Sequence, residues 1–158
     1  MKKEDRNPAL CRAFIATAKD ILSHHPEVKH TWSIDDDEDH CILDIPKISE
    51  SGFDIMKEVF PSQIVVSADG PHHHFDDIKN IETTVQEALG LIRDMLSPTM
   101  RVVEYRSSGQ PYKWHLESYR NGQREREDTT GLFFYNFFGK RTQNIYQNHI
   151  LPSRIWSV

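Results

Sequence analysis

Glycine is scarce in this 158-residue chain, with 7 residues, none in a Gly-x-Gly-x-x-Gly or P-loop spacing. No glycine-rich loop is therefore available to bring backbone N–H groups against a nucleotide's phosphates. Cysteine is scarcer still: Cys11 and Cys41 are the only two. Two thiols far apart in sequence make neither a disulfide framework nor a Cys-x-x-Cys metal or redox motif. No apolar run approaches the roughly 20 residues that a membrane span needs. No apolar stretch follows Met1-Lys2-Lys3-Glu4-Asp5, so no secretory signal is expected. A reducing cytoplasm with both thiols free and buried is the expectation. A Gly-x-Ser-x-Gly elbow is also missing, and His40 beside Cys41 on a strand would face the other way. The chain thus carries no signature of nucleophilic catalysis, and a non-enzyme is the favoured reading.

What is present is enough apolar material for a core: 37% hydrophobic and 10% aromatic residues. At this length one domain spanning residues 1–158 is expected. The net charge of −5 is unevenly distributed. Residues 1–26 are net +2, residues 27–99 carry 5 basic against 16 acidic residues, and residues 100–158 are net +4. An acidic middle repels phosphate backbones, which argues against nucleic acid as a partner. The basic last third alone could meet an anionic partner.

Asn7-Pro8 reads as a helix start, and Leu10, Cys11, Phe14, Ile15, Ala18, Ile21 and Leu22 recur at helical spacing up to His24-His25-Pro26. Val28, His30, Trp32 and Ile34 alternate with polar residues, and Cys41, Leu43 and Ile45 alternate on the return. Residues 28–46 therefore predict a hairpin with Asp35, Asp36, Asp37, Glu38 and Asp39 at its tip. Ser51 and Asp54 resemble a capping box before Ile55, Met56, Val59 and Phe60, which predicts a short helix closed by Pro61. Residues 63–68 predict a strand, Asp69-Gly70 a turn, and 71–76 an extended piece. Ile81, Val85, Ala88, Leu89, Ile92 and Met95 trace a second helix, stopped by Ser97-Pro98.

Beyond residue 99 the pattern is β. Met100–Arg106 is followed by Ser108-Gly109, then by the alternation of Tyr112, Trp114 and Leu116. Asn121-Gly122 is the strongest hairpin signal, and the polar Gln123–Asp128 reads as an edge strand broken by Thr130-Gly131. Leu132–Phe138 reads as a central strand with both faces apolar. The fold class expected is α+β, with two main helices packed on a mostly antiparallel, hairpin-linked sheet.

Three groups of residues could carry function. On an extended backbone His72, His74 and Asp76 point the same way, a set that suits Zn²⁺ or Fe²⁺. The spacing resembles the His-x-His-x-Asp-His signature of metallo-β-lactamase-type hydrolases, with Asp77 where the last His belongs; no membership in that family is assigned. The plainer expectation has these histidines lining a turn, Asp76 or Asp77 capping the next helix, and no cofactor. The acidic tip fails the EF-hand pattern, because His40 and Pro46 stand where Gly and Glu are required. It reads instead as a solvated patch that can steer a cationic partner. Lastly, Tyr135 and Phe137 share one face of the aromatic run with Phe133, and Trp114, Tyr112, Tyr119 and Tyr146 could extend it into a groove rimmed by Lys140 and Arg141.

The reading favoured by the sequence is a non-enzymatic domain that binds another protein, in general character similar to small acidic immunity or anti-toxin proteins. Its candidate contacts are Asp35–Asp39, Trp114, Tyr135 and Phe137. The alternatives are a small-ligand domain with a pocket between helix 80–97 and the sheet, and a metal-dependent hydrolase built on His72, His74 and Asp76.

Overall fold

The computed structural model describes residues 8–131 and 139–153. The fold is α+β, with two helices and two antiparallel sheets among these residues. The first helix, α1 (Ala9–Ser23), buries Leu10, Cys11, Phe14, Ala18, Ile21 and Leu22, the stripe its sequence predicts. It is followed by a five-stranded meander, β1 (Thr31–Ile34), β2 (Cys41–Ile45), β3 (Ile55–Val59), β4 (Ile64–Ala68) and β5 (His72–Phe75), in which each strand pairs with the next. The second helix, α2 (Ile81–Met95), precedes β6 (Met100–Ser107), β7 (Gln110–Arg120), β8 (Gln123–Gly131) and β9 (Arg141–Tyr146), arranged β8-β7-β6-β9.

Three Xaa-Gly turns set the hairpins. Asp69-Gly70, Ser108-Gly109 and Asn121-Gly122 all have positive φ at both residues. Such turns match the right-handed twist of the strands they join, which is why these dipeptides are legible in sequence. β8 is an edge strand, as its polarity predicts, but it runs on through Thr130 and Gly131 instead of breaking there.

The short helix expected at 51–60 is absent; Ile55–Val59 is β3, in the middle of the meander. Ile55, Met56, Val59 and Phe60 fit a helical stripe nearly as well as a strand, and pairing with β2 and β4 on both sides decides for the strand. Asp54 caps no helix; its Oδ1 accepts the Lys47 amide at 2.8 Å. Likewise Asp76 and Asp77 do not cap α2. Asn80 does, its side chain accepting from Thr83 N at 3.0 Å.

One contiguous apolar core joins residues of both helices and both sheets, including Phe14, Leu43, Phe53, Val66, Leu89, Val102 and Leu116. The two helices also pack on each other. The edges β5 and β8 meet where His73 Nδ1 lies 3.1 Å from Asp128 Oδ2. The chain after β9 returns to the core instead of trailing away. Gln147 N donates to Ser51 O at 2.7 Å, and Ile150 N and Leu151 N both donate to Leu96 O.

Asn148 is the centre of that closure. It is buried, its Oδ1 accepts from Phe53 N at 3.2 Å, and its Nδ2 donates to Phe53 O and Met95 O. One side chain thus satisfies three backbone groups at the junction of β3, α2 and the tail. A Cβ on Gly52 would stand 2.5 Å from the Asn148 oxygen, so any side chain there would have to displace the Asn148 amide. Asn148→Ala leaves those three groups without their partner in a dry site. It is expected to cost about 2–3 kcal/mol in urea-induced unfolding, and a loss below about 0.5 kcal/mol would contradict this role.

Candidate functional site

Alternation along the meander sorts its side chains into two faces, and the pairing register aligns them in rows. On one face Trp32, Leu43, Lys57, Val66 and His73 form a row, flanked by Ile34, Cys41, Val59, Ile64 and Phe75. This face packs towards the helices and is the core side. On the other, Thr31, Asp44, Met56, Ser67 and His72 form one row, and Ser33, Ile42, Glu58, Val65 and His74 the next. Every residue of these last two rows is exposed or half-buried, with Met56 at 40% exposure. Among the described residues this face stays open.

The acidic tip projects from one end of it. Glu38 N donates to Asp35 O and Asp35 N to His40 O, which closes a tight turn with Glu38 at positive φ. Asp35, Asp36, Asp37 and Glu38 are exposed and Asp39 is half-buried. Two basic side chains anchor the tip: Arg12 of α1 donates to Glu38 at 2.9 Å, and His40 lies between Glu58 (2.8 Å) and Asp35 (3.6 Å). The hydrogen bond to Glu58, helped by the Asp35 charge and opposed by partial burial, raises the His40 pKa above its ordinary value.

The histidine cluster divides between the faces. His72 and His74 lie on the open side, both exposed, their rings edge to face at 5.1 Å. Asp76 falls beyond the end of β5 and is exposed. Among the described residues no group of three or more His, Cys, Asp or Glu side chains is arranged to hold a metal ion. His73, which the sequence analysis left out of that set, makes the bond to Asp128 that joins the two sheets and packs edge-on against Phe75 at 4.6 Å.

Trp114, on β7, is half-buried. It packs against Gly70 and the core, and its Nε1 donates to Glu104 at 3.2 Å. Tyr112 is buried and Tyr146 packs on the core, whereas Tyr119 is 52% exposed. Tyr135, Phe137 and the strand expected at Leu132–Phe138 lie outside the described residues. The apolar face of α2 is filled by packing, with Val85, Ala88, Leu89, Ile92 and Met95 all buried. One cleft of about 450 Å³ opens among Asp44, Asp54, Asp69, Ile55 and Met56, where burial raises the Asp69 carboxyl. A second, near the C-terminal end of α2, measures about 700 Å³.

Lys57 is the chemistry-bearing residue that the sequence analysis missed. It is fully buried, its Nζ has no hydrogen-bond partner, and it sits 3.9 Å from the centroid of the Phe14 ring. A cation over a desolvated ring gains about 2 kcal/mol, while burying an ammonium costs several. The larger effect wins, so burial drives the amine well below its ordinary pKa and disfavours the charged form of Lys57. Ile55, Lys57 and Val59 would have shown it in the core, had the segment been read with period two. Nearby, the Cys11 and Cys41 thiols are buried and free, and burial raises both. A second buried base, His115, donates or accepts through Nδ1 at Thr129 Oγ1 (2.9 Å), while its Nε2 is unpartnered; burial lowers its pKa.

Two pH dependences follow. The unfolded chain protonates Lys57 below about pH 10.4, whereas burial lowers the folded value, so wild type loses stability as pH falls below the unfolded value. Lys57→Met, apolar and of similar length, is expected to be more stable than wild type at pH 7 and to gain further on it as pH drops from 9 to 6, read by chemical denaturation. A wild type that outlasts the variant at every pH would show the amine to be charged and paired. His40 has the opposite sign. Its contribution is fully present below about pH 6.5 and fades as pH rises through its raised folded value. His40→Gln should therefore cost more stability at pH 6 than at pH 8; equal costs would remove the link to Glu58 and Asp35. Compared with known proteins, the chain matches no family model, no curated protein and no solved structure.

Proposed function

We propose that this protein is a non-enzymatic recognition domain that binds a basic surface of another protein. The observation that carries the reading is the open face of the meander running into the acidic tip. Asp44 and Glu58 on that face add to the charge of Asp35–Asp39, and Ile42, Met56 and Val65 supply apolar contact between them. A mixed patch of this kind suits protein recognition, since interfaces combine an apolar centre with a charged rim. The clustered carboxylates raise the encounter rate with a cationic partner and set its orientation. Arg12 and His40 hold the tip in one geometry, which lowers the ordering cost of binding.

The proposed contact surface is read from the charged and apolar side chains of the open face. It consists of the tip and the two open rows, with no metal and no catalytic step.

Replacing Asp35–Asp39 together with Ser and Asn tests the reading. Exposed carboxylates add little to folding, so stability is expected to stay within about 1 kcal/mol of wild type. Proteins captured from extract by the wild type and cross-linked to the β1–β2 hairpin should be lost from the variant, as quantified by mass spectrometry. A captured set unchanged by the substitutions, or cross-links falling elsewhere, would refute the assignment.

A further inference from the structure

The chain is acidic overall, yet one cleft gathers positive charge. It lies where the C-terminal end of α2, the 98–99 connection and the β7–β8 hairpin meet, and measures about 700 Å³. Arg93 comes to it from α2, Arg120 from the end of β7 and Arg124 from β8, while Asp94 is the single carboxylate among the lining residues. The β7–β8 hairpin brings Arg120 and Arg124 near each other, and the tertiary fold adds Arg93 of α2.

Arg124 is held in place. Its guanidinium donates to Thr99 O at 3.1 Å and Pro98 O at 3.3 Å, and it lies 5.2 Å from the centroid of the half-exposed Tyr119 ring. Partial burial, and then the neighbouring Arg101 charge, pull it below the ordinary guanidinium value, so a positive group is fixed in a place that disfavours it. An anion in the cleft relieves that cost. Arg120 is tied on one side only, to Glu127 at 3.3 Å, and Arg93 lies against Asp94 at 3.2 Å. A planar guanidinium can donate to two oxygens at once, so groups fixed in this way suit the oxygens of a phosphate or carboxylate.

We propose that this cleft binds a small molecule through an anionic headgroup, a phosphate or a carboxylate, with the Tyr119 ring beside it. The site is independent of the acidic recognition face: it uses the second sheet, the opposite charge and a different class of ligand.

Calorimetric titration of the full chain with inorganic phosphate and, separately, with citrate tests it, with ionic strength held constant by chloride. Saturable binding of at least one anion is expected, and which one binds identifies the headgroup. Arg120→Gln should weaken that binding by about fivefold, the worth of roughly 1 kcal/mol for a charge-assisted hydrogen bond. Asp94→Asn removes the opposing carboxylate and should tighten it. Arg120 and Asp94 are chosen because Arg124 also caps backbone carbonyls, and its loss would disturb the fold. Unchanged thermal unfolding confirms that each variant is folded. The proposal is overturned if neither anion saturates, or if either binds equally to wild type and both variants.

Discussion

Side chains on a β-strand alternate between its faces, and five strands in unbroken antiparallel register turn that local rule into a global one. A slip of one residue in β2, for example, would turn Asp44 towards the core and Leu43 outward, and the same slip in β4 would turn Val66 outward. The burial of the apolar rows against α1 and α2 fixes this register. Fixing it places the acidic tip, leaves one face of the sheet open and puts an amine in the core.

The cost of that constraint is visible at Lys57 and at Asn148, which solve the same problem differently. Each carries a polar group into a dry interior. Asn148 meets three backbone groups whose hydrogen bonds would otherwise be missing, so its burial stabilises the closure of the tail. Lys57 meets an aromatic ring and no acceptor, and its burial works against the charged form of the amine. The first is a clamp that the fold depends on, while the second is a burden that the packing around it must offset.

Charge is handled with the same economy. Acidic residues concentrate at the β1–β2 tip and along the open rows, and guanidinium groups concentrate at the far sheet around the β7–β8 hairpin. A chain with a net charge of −5 thereby offers two surfaces of opposite sign. The imidazoles lie between these extremes: His40 stiffens the tip, His73 joins the sheets, and His72 with His74 faces solvent.

The strongly periodic parts of the fold were legible in the sequence. Both helices, the β1–β2 hairpin with its acidic tip, the three Xaa-Gly turns and the polar edge strand follow from spacing and turn chemistry, which act over a few residues. What the sequence left undecided depends on partners distant in the chain. Ile55–Val59 becomes a strand because β2 and β4 flank it, and only then does Lys57 fall into the core. The return of Asn148 to Phe53 spans 95 positions, and Arg93 joins Arg120 and Arg124 through the docking of α2 on the second sheet. Local pattern thus determined which elements form, whereas long-range pairing and packing decided what those elements bring together, because side chains far apart in sequence gain or lose solvent only when the whole chain closes.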